Sequence, residues 1–453
     1  APPRPHVIVV YVDDLGYGDL SCQGEARWST PRLDAMAQQG VRFTDFASAQ
    51  PVCSASRTAL LTGCYPNRLG IHGALGPNAD HGIAEGETTL AELFRGQGYA
   101  TAAFGKWHLG HRAPFLPTRH GFDTWYGIPY SNDMGPANRM RPDAWPALPT
   151  FRDEEVVELD QDQAEFTNAF TAAAAAFMEQ SLEDGKPFFV YLAHPMPHTP
   201  IFVSPEGEGA SGAGLYGDVM VEIDRSVGTL LDTAERLGVG DDTLVLFTSD
   251  NGPWLNFGDH AGTTGGLREG KGTTFEGGVR VPAILRWPAG APAGLVNAQA
   301  LMTLDVLPTL AGLIGAELPA HGVDGQDMWA QMTGAAPTVE REFAYYYHQG
   351  NLEAVRRGRW KLHLPHRYRT MAGRVMGSGG LAGSYDYGAT IGPALFDLAA
   401  DVNETTDVSA EHPEIMAELM ALAEAYRADL GDGLTERVGA GVREPGRVPT
   451  EDG

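Results

Sequence analysis

The sequence predicts an α/β fold: a large, mostly parallel sheet flanked by helices over residues 1–340, then a smaller C-terminal α+β domain with an antiparallel sheet over residues 341–453. Three observations carry this expectation. Short runs of apolar and β-branched residues, of which HVIVVYV (His6–Val12) is the first, have the unbroken hydrophobicity of strands buried on both faces. Amphipathic helical stripes separate these runs, the alternation that builds a parallel sheet covered on both sides. Past Glu340 the alternation stops, and strand-like segments follow one another before a single last helix.

Taken in order, His6–Val12 is a buried strand that ends in Asp13 and Asp14. Thr30 caps a helix with Pro31 at its first position, which runs to Gly40. A short helix follows Cys53 and is stopped by Thr62 and Gly63. Thr89–Tyr99 reads as a helix and Ala100–Phe104 as a strand opening into GKWHLG. Residues 118–152, rich in Pro, Gly and aromatics, read as a long functional loop. Gln163–Leu182 is expected to be helical, and Pro187–Ala193 to be a strand ending in HPMPHTP. Leu215, Val219, Ile223, Val227, Leu230, Leu231 and Ala234 form one helical stripe. Asp242–Thr248 and Val279–Trp287 are further strands. In the second domain, Phe343–His348 and Glu353–Leu364 read as an antiparallel pair, and Arg367–Pro393 as glycine-rich loop. Leu395–Leu398 is a short strand, Glu411–Leu430 a helix, and the tail after Gly431 an extended wrap or a partly disordered segment.

Composition narrows the function. A formal charge of −26 over 453 residues excludes nucleic acid and acidic membranes as partners, and no apolar run reaches membrane-spanning length. Lysine is confined to Lys106, Lys186, Lys271 and Lys361, and cysteine to Cys22, Cys53 and Cys64. Cys22 and Cys64 could pair or stay reduced. The start at Ala1 fits a removed signal peptide or a trimmed chain. A periplasmic or secreted location is therefore expected, with the cytoplasm as the alternative.

The polar motifs fall where strands end. Asp13 and Asp14 close one strand, Asp250 and Asn251 another, and parallel strands can bring both ends to one rim. Three carboxylates and an amide oxygen there would repel one another unless a hard divalent cation joined them. Each pair alone reads more simply, as a helix cap or an Asn-Gly turn. In PVCSASRTALLTG (Pro51–Gly63), Cys53 stands at a helix N-terminus that favours an anion, with Arg57 one turn on. A lone cysteine is more often a small core residue. Lys106 and His108 lie in GKWHLG, Ser131 in GIPYSNDMGP, His198 in HPMPHTP and Lys271 in EGKGTTFEGGVRVP. His194, His260 and Lys186 read as structural or solvent-facing.

CSASRTALLTG, together with DDLGYGDL, TSDNGP, GKWHLG and GKGTTFEGGVR, resembles the signatures of the formylglycine-dependent type I sulfatases, and GIPYSNDMGP those of their arylsulfatase A branch. The resemblance runs from His6 to about Trp287 and again through LFDLAADVNE. The usual motif carries Pro where this chain has Ala55. The resemblance implies an alkaline-phosphatase-like fold and hydrolysis of a sulfate monoester to an alcohol, phenol or sugar and inorganic sulfate. It implies that a formylglycine-generating enzyme converts Cys53 to Cα-formylglycine. It implies that Asp13, Asp14, Asp250 and Asn251, with residue 53, bind Ca²⁺, or Mg²⁺ as the second choice. By the same resemblance the formylglycine hydrate, its oxyanion stabilised by the metal, Arg57 and Lys106, attacks sulfur while His198 or Lys271 protonates the departing alcohol. His108 then takes a proton from the second hydroxyl and the covalent sulfate leaves. Ser131, Lys106, His198 and Lys271 would hold the sulfate oxygens.

Two other functions compete. One is a phosphate or phosphonate ester hydrolase of the same superfamily. The other is a non-catalytic, calcium-dependent binding protein for sulfated glycans that keeps Cys53 as a thiol. Trp125, Tyr126, Tyr130, Asn132, Trp254 and His260 are expected at the mouth of the site, because they lie in loops adjoining the motifs.

Overall fold

The computed structural model describes residues 4–24 and 27–448. Ten strands form its central sheet: β1 (His6–Val12), β2 (Val41–Phe43), β3 (Ala100–Gly105), β4 (Thr124–Gly127), β5 (Pro149–Arg152), β6 (Glu155–Leu159), β7 (Phe188–His194), β8 (Thr243–Ser249), β9 (Ala283–Arg286) and β10 (Leu295–Asn297). Their spatial order is β10-β2-β9-β8-β1-β7-β3-β4-β5-β6. The central strands from β8 to β4 run parallel, and the next strand on either side is antiparallel.

Helices α1 (Pro31–Gln38), α2 (Cys53–Thr62), α3 (Leu90–Gly96), α4 (Phe166–Glu183) and α5 (Leu215–Arg236) cover both faces. Alternation along β1 decides which residue meets which layer. Val7, Val9 and Tyr11 share a core with Leu60 and Leu61 of α2 and Phe94 of α3. Ile8, Val10 and Val12 share the opposite core with Met36 of α1, Phe170 of α4 and Ile223 of α5. The helix starts follow local chemistry. Pro31 occupies the first turn of α1, and α3 opens on a capping box in which Thr89 N donates to Glu92 Oε2 (2.7 Å) and Glu92 N to Thr89 Oγ1 (3.2 Å).

Register sets up the site. Val12 lies opposite both Ser249 and His194, and Gly105 opposite Ala193. The residues that follow these strands, among them Asp13, Lys106 and Asp250, therefore leave the sheet along one rim.

Several elements differ from the sequence expectation. Of the run Val279–Trp287, only Ala283–Arg286 is a strand, and it is antiparallel to β8; Glu276–Val279 is a single helical turn. Residues 118–152 hold β4 and the start of the β5–β6 ribbon, so the loop is shorter than its composition suggests. Glu353–Leu364 is two strands, because the chain turns at Gly358 with φ +55°.

The second domain contains β11 (Glu342–Tyr347), β12 (Asn351–Arg357), β13 (Trp360–His363), β14 (His366–Thr370), β15 (Asp386–Ile391) and β16 (Ala394–Asp397). The first three and β16 form an antiparallel sheet in the order β11-β12-β13-β16, backed by the helix Pro413–Leu430. Strands β14 and β15 form a hairpin inside the stretch expected to be loop. The tail does wrap back: Arg443 pairs with Glu87 (2.6 and 2.7 Å), and Gly446–Arg447 pairs with His81–Gly82. Among the described residues no helix is long and apolar enough to cross a membrane, and Cys22, Cys53 and Cys64 are free thiols.

A buried ionic network joins the two domains. Lys361 Nζ donates to Glu276 Oε1 (2.8 Å) and lies 3.1 Å from Glu404 Oε1, which also meets His363 Nε2 at 2.7 Å. Glu276 pairs in turn with Arg280, and Arg280 and Arg356 share Asp45. Removing one partner of such a network strands the others in low dielectric, at a cost of about 3–5 kcal/mol. Lys361→Met is expected to lose stability on that scale, read as a lower urea midpoint; an unchanged midpoint would show that the network contributes nothing net.

Candidate active site

Helix α2 starts abruptly. Val52 is extended (φ −156°) and Cys53 is the first helical residue, buried at 1% exposure. Ser54 Oγ accepts Leu75 N (2.9 Å) and Ala55 N donates to Gly73 O (3.2 Å), which draws the 73–75 segment over the helix start. The second of these bonds needs an N–H at position 55. Proline, the residue of the usual motif, could not make it.

Three carboxylates and three cations interlock beside Cys53. Arg57 Nη2 donates to Asp250 Oδ2 (2.8 Å) and lies 3.6 Å from Asp13. Lys106 Nζ pairs with Asp13 Oδ2 and reaches Ser131 Oγ at 3.2 Å. Lys271 Nζ pairs with Asp14 (2.7 Å), lies 3.5 Å from Cys53 Sγ and sits over the Trp254 ring at 4.5 Å. Burial and the neighbouring Asp13 push the Asp250 carboxyl up to about 7. Burial opposes charge on Asp13 as well, yet Lys106, His198 and Arg57 outweigh it and hold Asp13 well below the usual carboxylate range. Burial and then Asp13 raise the Cys53 thiol far above its ordinary value, so the encoded side chain stays protonated.

The two histidines have opposite tautomers. His108 Nε2–H donates to Leu75 O (2.9 Å), leaving Nδ1 buried with no partner. Burial, Lys106 and Arg57 lower its pKa well below 6.5, so Nδ1 keeps a free lone pair. His198 Nδ1–H donates to Thr199 O (2.7 Å), which leaves Nε2 3.4 Å from Ser131 Oγ and 3.6 Å from Asp14. Cys53, His108, Ser131, His198 and Lys271 line one cleft of about 180 Å³.

A cation would find ligands here. Asp13, Asp14, Cys53 and His198 offer atoms within 4.8 Å of one another. Asn251 donates through Nδ2 to Asp14 Oδ1 (2.7 Å), and its Oδ1 is buried and bare. A crowd of carboxylates with an unpaired amide oxygen suits a hard ion such as Ca²⁺.

The expected site residues Asp13, Asp14, Cys53, Arg57, Lys106, His108, Ser131, His198, Lys271, Asp250 and Asn251 thus converge on one rim. The expected mouth does not. Trp125 is buried in β4, stacked on Phe151 with its Nε1 on Gly105 O, because strand alternation turns it into the core. Tyr126 packs on Phe170, Tyr130 on His111, and Asn132 ties Gln163 to the Pro200 carbonyl. His260 stands beside Gly380, away from the cleft lining, while Trp254 does line it. Two residues not singled out in the sequence, Tyr347 and Arg369, come from the second domain. Arg369 donates to Lys271 O through Nε (2.9 Å) and Nη2, and Gly272 makes room: at φ +75°, a Cβ there would lie 2.4 Å from the guanidinium. The alternation of HRYRT (His366–Thr370) is the one local sign of the strand that brings Arg369 in.

Comparison with known proteins decides the family. The sulfatase family model matches residues 5–316 and the model for the C-terminal region of aryl-sulfatase matches 339–438. The chain belongs to the sulfatase family. Among relatives of this sulfatase, arylsulfatase A of Bos taurus is 37% identical over 439 residues, covering 93% of this chain and 86% of that protein. N-acetylgalactosamine-6-sulfatase of Canis lupus familiaris is 39% identical over 384 residues, covering 80% and 72%. The crystal structure of PsFucS1 sulfatase from Pseudoalteromonas sp. superposes with a TM-score of 0.83 at 28% identity, covering 94% of this chain and 90% of that one. The sulfatase is accordingly a sulfuric ester hydrolase by family, with the alkaline-phosphatase-like fold.

Bare Asn251 Oδ1 gives the metal assignment a direct test. Ca²⁺ added to chelator-treated protein is expected to raise the thermal midpoint. Asn251→Asp should keep that rise and Asn251→Leu should lose most of it; a wild-type midpoint indifferent to Ca²⁺ and Mg²⁺ removes the assignment.

Proposed function

We propose that this sulfatase hydrolyses a sulfate monoester to an alcohol, phenol or sugar and inorganic sulfate, with residue 53 as nucleophile after a formylglycine-generating enzyme has converted Cys53. The observation that carries this reading is the pair of oppositely set histidines on one cleft with residue 53: His108 presents a bare Nδ1, and His198 presents Nε2. His108 suits taking a proton as it stands, and His198, in the fraction whose ring is doubly protonated, suits giving one from Nε2. The protonated, buried thiol is a poor nucleophile, which favours conversion of Cys53. A formylglycine hydrate supplies an oxygen nucleophile and a second hydroxyl, and Ca²⁺ held by Asp13, Asp14, Asp250 and Asn251 supplies charge that favours the ionised hydroxyl.

The chain's own groups do the rest. Arg57 and Lys106 fix Asp250 and Asp13 and keep the rim's positive charge in place. Lys271, steered over Trp254 and held through its carbonyl by Arg369, meets sulfate oxygens together with Ser131, Lys106 and His198. His198 Nε2–H protonates the leaving oxygen, with Lys271 as the alternative donor. His108 Nδ1 takes the proton that frees the sulfate.

The peptide Phe43–Arg57 released by trypsin is expected to be lighter than encoded by the thiol-to-aldehyde difference, and the protein carrying it to turn over aryl sulfates in preference to matched aryl phosphates. An equal or reversed preference would favour the phosphate or phosphonate ester reading. Lys271→Ala should lose at least about 10²- to 10³-fold in kcat, the usual cost of one positioned donor. Wild-type turnover in that variant would remove Lys271 from the mechanism.

A pH profile separates the two acids. Burial and then Lys271 lower His198 below its ordinary 6.5, so its protonated fraction shrinks as pH rises through that lower range. For esters of alkyl alcohols, which need the proton, kcat/KM should fall with rising pH there. With 4-nitrophenyl sulfate, whose phenolate departs unaided, the fall should be shallow. His198→Gln should flatten the alkyl profile; a profile unchanged in that variant assigns the proton to Lys271.

A further inference from the structure

His108 is held in a costly conformation. Its backbone lies in the left-handed region (φ +66°), which residues other than glycine seldom adopt, so the surrounding structure must over-determine it. Three hydrogen bonds do this at close range. His108 N donates to Pro129 O (3.0 Å), its ring donates from Nε2 to Leu75 O (2.9 Å), and Leu109 O, one residue on, accepts Ile83 N (2.9 Å). Trp107, one residue back, is tied as well: its Nε1 donates to Phe115 O (2.7 Å).

The groups that make these contacts share one outer support. Phe115 is buried, and a Cβ on Gly82, Gly110 or Gly446 would come within 2.8 Å of its ring. Two of those glycines are partners. Gly446 pairs with Gly82 and Arg447 with His81 in an antiparallel ladder, which Val448 N extends onto Asp80 O (3.2 Å). Residues 81–83 are thus backed by the C-terminal tail just where Ile83 reaches Leu109. The tail also holds the other end of the segment that carries Leu75. Pro445 packs against Gly70, where a Cβ would lie 2.7 Å from its Cδ, and Arg443 forks onto the buried Glu87 (2.6 and 2.7 Å). The supports that His108 draws from residues 70–83 therefore lean on the far end of the chain.

We propose that residues 443–448 form a strap that positions His108 for the step that frees sulfate. The strap touches no reacting group. It acts through Ile83 and Phe115 on the two neighbours of His108, and through the 70–82 segment on Leu75 O. This inference rests on the reading of His108 as the base of that step.

The test uses the formylglycine-bearing protein and 4-nitrophenyl sulfate. Two variants undock the strap by different means: Gly446→Val drives a side chain into Phe115, and a chain ended after Val442 removes the strap. The phenol leaves before the sulfate does, so a misplaced His108 slows only the later step. In both variants kcat and KM should fall together by about tenfold or more, with kcat/KM kept within about twofold and a burst of about one 4-nitrophenol per enzyme. His108→Ala should give the same pattern, enlarged to about 10²-fold or more. If it does not, His108 is not the base and the inference falls with it. A strap that merely stabilises the fold lowers the active fraction instead, so that kcat falls at unchanged KM without a burst. That result, or wild-type kinetics, in a strap variant that folds overturns the inference. Absence of turnover in the wild type overturns the sulfate ester reading itself, whereas wild-type turnover without this pattern in the variants leaves that reading standing.

Discussion

Everything at the rim depends on three buried carboxylates being matched by three buried cations. Asp13, Asp14 and Asp250 would be prohibitively costly together in a low dielectric, and Arg57, Lys106 and Lys271 offset them almost atom for atom. A divalent ion added to this balanced set leaves a local surplus of positive charge. With such an ion bound, a chain with a formal charge of −26 would present an electropositive cleft: distant carboxylates are screened over about a Debye length, while the rim acts at contact.

The second domain is part of this arrangement and not an appendage. Its sheet is held to the first domain through Lys361, Glu276 and Glu404, and its hairpin sends Arg369 onto the Lys271 carbonyl. A lysine with four rotatable bonds gains direction from having its backbone fixed on one side and its ammonium held over Trp254 on the other. Packing between domains and geometry at the cleft are therefore one problem.

Much of this was legible in the sequence because it is local. Each apolar strand run hands over directly to its polar motif, so Asp13, Lys106, His198 and Asp250 could be placed at strand ends, and parallel register does the rest. What escaped was either too short or too exposed to show a pattern. Three-residue β2 and β10 lack a period, and Glu155–Leu159 of β6 is exposed on both sides, so the sheet's outer strands went unseen. Trp125 misled because aromatic residues among glycines and prolines suggest a binding loop, whereas a four-residue strand buries it. Tyr347 and Arg369 lie on strands that local sequence hints at, but it does not show that domain packing turns those strands toward the cleft.

The depth of Cys53 has a consequence for how the protein is made. At 1% exposure, at the first turn of a helix that the 73–75 segment covers, its sulfur is closed to any other protein once α2 has docked. An oxidising enzyme needs that stretch extended and free. If Cys53 is converted as proposed, modification competes with folding, and a molecule that folds first keeps its thiol.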